Sequence, residues 1–221
     1  MKLSFSTKNV DRPTFEALCR FASGYGMDGF EIWDAVAERK EHADSVLRSE
    51  RVSEGRNILR NNGVEVCALS YPVPVESDEA TSVALVQYVD MAALSGIENV
   101  IVHVSDRPDP HALLEKFSDA IARAERQNVG ILFETYGPLA RTGNLLEIIN
   151  VFASSAIGAS WNIRATFFDG EESAETTIKT LGAYIRNVRI GDRKDGTDTL
   201  IGEGDLPVDD FLRALRSLNY D

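Results

Sequence analysis

Basic residues are scarce in this chain. Of its 221 residues, 23 are Lys or Arg against 35 Asp or Glu, a formal net charge of -12. Such a surface repels a phosphate backbone, so no nucleic-acid partner is expected. Long apolar runs are missing as well. Residues 99–104 are typical, far short of the roughly 20 residues a membrane-spanning helix requires, and no membrane partner is expected. The start, Met1-Lys2-Leu3-Ser4-Phe5-Ser6, lacks the apolar stretch of a signal peptide. There are only two cysteines. Cys19 and Cys67 lie in apolar segments without a CxxC partner, and they read as buried free thiols of a reducing compartment. A cytoplasmic location is therefore expected. Metal and nucleophile signatures are also wanting. No two of His42, His103 and His111 have metal-ligand spacing, and GxSxG, HExxH and Walker patterns are absent.

What is present is an alternation. Short apolar runs rich in β-branched and aromatic residues read as buried strands at 2–6, 29–33, 64–69, 99–104, 130–135, 157–161 and 185–190. Segments of helical spacing lie between them, with apolar faces at Phe15, Leu18, Cys19 and Ala22, at Leu113, Leu114, Phe117, Ile121 and Ala124, and at Phe211, Leu212, Leu215 and Leu218. Asp11 followed by Pro13 predicts a helix start, Asn61-Asn62-Gly63 a helix end, and Gly96 and Gly182 further transitions. The acidic run Asp169-Gly170-Glu171-Glu172 reads as the solvated start of a helix.

Strand then helix, repeated, implies parallel strands with crossover helices. A flavodoxin-like sheet needs only about five strands, so seven units favour an α/β fold of the TIM-type (β/α) barrel kind. No linker or low-complexity tract divides residues 1–221, which read as one barrel domain. A full barrel has about eight strands and 250 residues. The expectation is thus an incomplete barrel of seven βα units, truncated or the N-terminal domain of a longer chain. Its open edge would be covered by a fused C-terminal domain or by another subunit of a homo-oligomer, or the eighth strand would be dispensed with.

Barrel chemistry sits at the C-terminal ends of strands. Those positions hold Glu31, His103, Glu134, Asn162 with Arg164, and Arg189 with Asp192 and Arg193. Glu134 follows Ile131-Leu132-Phe133, where an unpaired carboxylate is costly, so it must meet a cation or strong donors. It fits either a structural ion pair or a functional group. His103 fits a hydrogen-bonded core position or a base, while His42 and His111 are expected to face solvent. Gly202-Glu203-Gly204 reads as a plain turn or as an anion cradle of backbone N–H groups.

Four pieces carry a family resemblance: Asp28-Gly29-Phe30-Glu31-Ile32-Trp33, Phe133-Glu134-Thr135-Tyr136-Gly137, Ser160-Trp161-Asn162-Ile163-Arg164-Ala165, and Tyr184-Ile185-Arg186-Asn187-Val188-Arg189-Ile190-Gly191-Asp192, which runs on to Leu200-Ile201-Gly202-Glu203-Gly204-Asp205-Leu206-Pro207. In these the chain resembles the sugar phosphate isomerase/epimerase family, with its xylose isomerase-like TIM barrel, and the match spans the whole chain. The resemblance implies carbohydrate metabolism and isomerase chemistry. It also implies one divalent ion (Mn, Mg or Co) held by Glu, Asp, His and Glu on four successive strands, with the two glutamates moving a proton through an enediolate.

This sequence departs from that ligand set. Glu134 matches the first ligand, Asn162 stands at the aspartate, Ala165 at the histidine of Asp-x-x-His, and Asn187-Val188-Arg189 at the His-x-His. The fourth ligand falls past residue 221. Arginine cannot ligate a metal, so the expectation is a metal-free mouth in which Arg189 neutralises Glu134 as a bidentate pair; a metal is expected only with a longer native chain. The ligand would be a small polyhydroxylated or anionic molecule, sugar or sugar-phosphate-like, contacted by Glu31, His103, Asn162, Arg164, Asp192, Arg193 and Glu203. Rim salt bridges of the arginines to Asp192 and Glu203 are the alternative. An active isomerase, epimerase or dehydratase would use Glu134 as general base and Arg189 to stabilise the enediolate, with His103 a stand-in for the second acid/base.

Overall fold

The computed structural model describes residues 1–8, 10 and 14–220. The expected helix start at Asp11 and Pro13 lies outside them. In chain order the first elements are β1 (Ser4–Ser6), α1 (Phe15–Gly24), β2 (Gly29–Trp33), α2 (Ala35–Glu41), α3 (Val52–Asn62), β3 (Glu65–Ser70), α4 (Glu79–Ser95) and β4 (Asn99–Val102). Then follow α5 (Pro110–Gln127), β5 (Gly130–Glu134), α6 (Thr142–Phe152), β6 (Ile157–Asn162), α7 (Ile163–Phe168), α8 (Ala174–Leu181) and β7 (Ile185–Arg189). The last are a hairpin, β8 (Asp192–Lys194) and β9 (Thr197–Thr199), and α9 (Val208–Ser217).

Strands β1 to β7 form one sheet in sequential order, and the pairs β1–β2, β2–β3, β3–β4 and β6–β7 are parallel. A doubly wound sheet reverses its order at a switch point; this one never does. The architecture is the xylose isomerase-like (β/α) barrel with seven of its strands among the described residues and not the eighth. Among those residues no helix is long and apolar enough to cross a membrane.

The chain divides into two compact units. Unit 1 comprises residues 1–73, 78–101 and 117–131; unit 2 comprises 74–77, 102–116 and 132–221. In unit 1 the α1 face Phe15, Leu18, Cys19 and Ala22 is buried, and the Phe15 ring meets Phe30 of β2 edge-on at 5.9 Å. Thr14 caps α1 by accepting from the Ala17 N–H at 3.0 Å, and the Asp44 carboxylate takes the next free donors, Phe15 and Glu16 N–H. Gly63 and Gly96 end α3 and α4 in the left-handed conformation, as their positions predict. Gly182 also marks the expected transition, ending α8 with a φ of −46° and opening a 3₁₀ turn before β7.

Two local expectations are corrected. His42 does not face solvent, because its Nδ1 lies 3.1 Å from Glu38 Oε2 one helical turn back and both side chains are buried. An i,i+4 partner lets an inward polar residue be satisfied locally. Nor is Glu172 merely solvated. It accepts from the Thr142 N–H and hydroxyl at 2.9 and 2.7 Å, tying α6 to the chain before α8. The unit 2 core centres on Trp161, fully buried, whose indole N–H donates to Thr166 and whose ring packs 5.6 Å from Phe211 of α9.

Candidate functional site

The ends of β5, β6 and β7 bring three of the sequence-predicted residues together. Glu134, last residue of β5, is only 8% exposed. Asn162 Nδ2 donates to Glu134 Oε1 at 2.7 Å, while Asn162 Oδ1 accepts from the Ala165 N–H at 3.0 Å and caps α7. Those two bonds fix which way the amide points. An aspartate at 162 could still cap the helix, but it would set a second anion against Glu134. Arg189, last residue of β7, places Nη1 3.6 Å from Glu134 Oε2. That distance is ion-pair range and longer than the two short parallel hydrogen bonds of the expected bidentate fork. One layer down, the Ser160 hydroxyl donates to Asn187 Oδ1 at 2.8 Å, continuing the polar pairing between β6 and β7. Among the described residues no three His, Cys, Asp or Glu side chains gather to hold a metal ion.

Of the remaining candidates, Asp192, Arg164 and Arg193 are engaged by other groups of the chain. Asp192 is 1% exposed, and its carboxylate accepts the backbone N–H groups of Gly202 (3.0 Å), Gly204 (2.9 Å), Leu206 (3.1 Å) and Arg193 (2.8 Å). The cradle suspected at Gly202-Glu203-Gly204 therefore exists, and the anion in it is the chain's own. Gly204 has to be glycine: a Cβ there would sit 2.1 Å from Asp192 Oδ1. Burial pushes the Asp192 carboxyl up, but the four N–H donors outweigh it and hold it below the ordinary carboxylate range.

Arg164 pairs with Asp198 of β9, and Arg193 with Asp169 at 3.2 Å, its guanidinium 5.2 Å from the Phe168 ring. Both arginines thus make salt bridges, with partners other than the expected Asp192 and Glu203. Glu203 is exposed. The hairpin that supplies Asp198 went unforeseen, although Asp195-Gly196 signals it. Both residues have positive φ (49° and 80°), the mark of a two-residue hairpin turn.

Neither Glu31 nor His103 takes part in the bonds just described among Glu134, Asn162 and Arg189, and His103 belongs to unit 2. His103 follows the last residue of β4, is half-buried, and accepts the Val75 N–H on its carbonyl at 2.8 Å. Glu31 belongs to unit 1, where the Ser6 and Ser70 hydroxyls donate to its Oε1 at 3.1 and 2.8 Å.

Residues 19–221 match the family model of the xylose isomerase-like TIM barrel. No curated protein matches the sequence. Solved structures share the fold at low identity. The probable 3-DHS dehydratase AsbF of petrobactin synthesis from Bacillus anthracis aligns at TM-score 0.82 and 14% identity, over 98% of this chain and 89% of that one. The 3-keto-D-glucoside 4-epimerase YcjR of E. coli aligns at 0.78 and 14%, over 100% and 89%. A D-tagatose 3-epimerase-like protein aligns at 0.78 and 18%, over 100% and 88%. Epimerases and a dehydratase thus stand among the proteins of this fold, and the chain belongs to the xylose isomerase-like TIM barrel family.

Proposed function

We propose that this is a sugar phosphate isomerase/epimerase-like protein that binds a small polyhydroxylated or anionic ligand at the ends of β5–β7 without a divalent metal. The observation that carries the reading is Arg189 Nη1 at 3.6 Å from Glu134 Oε2, with Asn162 on the other oxygen. A hard divalent ion needs several oxygen or imidazole ligands. Here stand one carboxylate, an amide whose oxygen already caps α7, an alanine, and a guanidinium that cannot ligate. That donor set does not fit the ion the family resemblance implies. The same groups suit a polyol: Glu134 accepts a hydroxyl proton, and Arg189 donates to a carbonyl or anionic oxygen.

The proximity of Arg189 to Glu134 also favours a second reading, an active isomerase, epimerase or dehydratase. Glu134 would take the proton from the carbon beside a carbonyl while the electron pair moves to the oxygen facing Arg189. Calorimetric titration with ketose and inosose panels tests both. Ligand affinity should be unchanged by Mn, Mg, Co or EDTA, and Arg189→Ala should weaken it about tenfold or more. A divalent ion that raises the melting temperature, with the effect abolished by Glu134→Gln, would overturn the metal-free reading. Turnover in EDTA would select the second reading over simple binding.

A further inference from the structure

The start of the chain builds a graded polar feature in unit 1. Glu31 and Trp33 are two apart on β2, so their side chains share one face of the strand. It is the face on which Ser6 of β1 and Ser70 of β3 reach Glu31 Oε1. Trp33 stands one layer farther toward the strand's C-terminal end. Above its ring lies the Lys8 ammonium, 4.1 Å from the centroid. The residue before Lys8 is pinned: buried Thr7 donates its N–H to the Glu31 carbonyl at 2.9 Å and accepts the Trp33 N–H on Oγ1 at 3.0 Å. The order from floor to rim is a buried carboxylate (5% exposed), a half-buried indole and an exposed ammonium.

We propose that this column is a subsite for a polyol carrying a terminal anion, a sugar acid or sugar phosphate. The carboxylate accepts hydroxyl protons and repels an anion, so the hydroxyls lie at the Glu31 end and the anion at the Lys8 end. The C–H face of the carbon chain lies on the indole between them. An anion draws the ammonium away from the indole face it covers, which a neutral sugar does not do. A bare inorganic anion can meet Lys8 but gains nothing from the indole or the floor. The subsite rests on unit 1 residues alone and stands whether or not the Glu134 reading does.

Fluorescence tests it in the intact chain. There are two tryptophans, and Trp161 is fully buried with its N–H bonded to Thr166, so ligand-induced changes report Trp33. The probes are D-gluconate, D-glucose 6-phosphate, D-glucose and inorganic phosphate, in low salt. At least one of the two anionic sugars should give a saturable emission change, and comparing them separates carboxylate from phosphate. Glucose and inorganic phosphate should bind about tenfold more weakly or worse. Lys8→Gln, at an exposed position, should lower the anionic sugar's affinity to that of glucose. Trp33→Phe should abolish the signal while Trp161 emission confirms folding. No saturable change with either anionic sugar would overturn the proposal, as would affinities indifferent to Lys8→Gln or inorganic phosphate binding equally well.

Discussion

Glu31, in the middle of β2, and Glu134, at the end of β5, are each a buried glutamate in an apolar strand, and they are held differently. Around Glu31 two serine hydroxyls from the strands on either side converge on one oxygen. Around Glu134 an oriented amide takes one oxygen and a guanidinium faces the other. A hydroxyl both donates and accepts and can rotate toward a ligand, whereas the amide of Asn162 is locked by its cap and the guanidinium only donates. Burying a carboxylate thus leaves an adaptable surrounding in one unit and a fixed charge pair in the other. Asp192 is a third case: its oxygens are filled by the backbone of its own loop, so it builds the hairpin and is closed to ligands.

The largest expected effect breaks the charged side of that comparison. Arg189→Met leaves Glu134 buried without its cation and should cost about 3–5 kcal/mol, since the carboxylate's desolvation is no longer offset. In a chain of this size that lowers the melting temperature by about 10 °C. Adding Glu134→Gln should recover much of the loss, because the glutamine oxygen still accepts from Asn162. The hydroxyl side should yield less. Ser70→Ala removes one donor of Glu31 and should cost about 1–2 kcal/mol in a urea titration. Equal losses in the two variants would erase the distinction between the two surroundings.

Asp192 sharpens the comparison by pH. Its carboxyl is lowered in the fold, so its contribution is present above the unfolded value near ~3.9 and disappears as pH falls through the folded one. Wild-type stability should therefore fall on acidification below about pH 4, and Asp192→Asn should be less stable at neutral pH with a flatter acid limb. The smallest effect concerns reactivity. Burial, with Asp44 and Glu38 nearby, pushes the Cys19 thiol up to about 12, and burial also raises Cys67. Both belong to unit 1, so labelling by a disulfide reagent near pH 8 should be slow in the native protein, and its rate should report opening of that unit.

Much of the fold was legible. All seven expected strands agree with the observed ends to within two residues, because buried parallel strands announce themselves as continuous apolar runs. The α1 face Phe15, Leu18, Cys19 and Ala22 followed from helical spacing and is buried throughout. Glu134 stood out for the reason that governs its surroundings: no carboxylate rests unpaired beside Ile131, Leu132 and Phe133. What could not be read was who answers whom across long separations. Glu172 answers Thr142 thirty positions earlier, Asp192 answers Leu206 fourteen positions later, and Lys8 covers Trp33. Periodicity reports which face a residue takes, not which donor waits there. His42 was misplaced for the same reason, its helix looking polar until Glu38 is seen buried with it.

The order of hydrophobic runs, the helix faces and the residue types at the strand ends belong to the sequence by itself, since local sterics and burial periodicity set them. So does the one chemical constraint it imposes, a guanidinium and an amide where the family resemblance implies metal ligands. Tertiary structure decided the partnerships. It brought Arg189 within 3.6 Å of Glu134, turned the Gly202–Gly204 donors inward to Asp192, and sent Arg164 and Arg193 to acids of their own chain. The reason is that a buried polar group takes whichever complementary group the packed backbone brings within hydrogen-bond reach, and that choice is made in space and not along the chain.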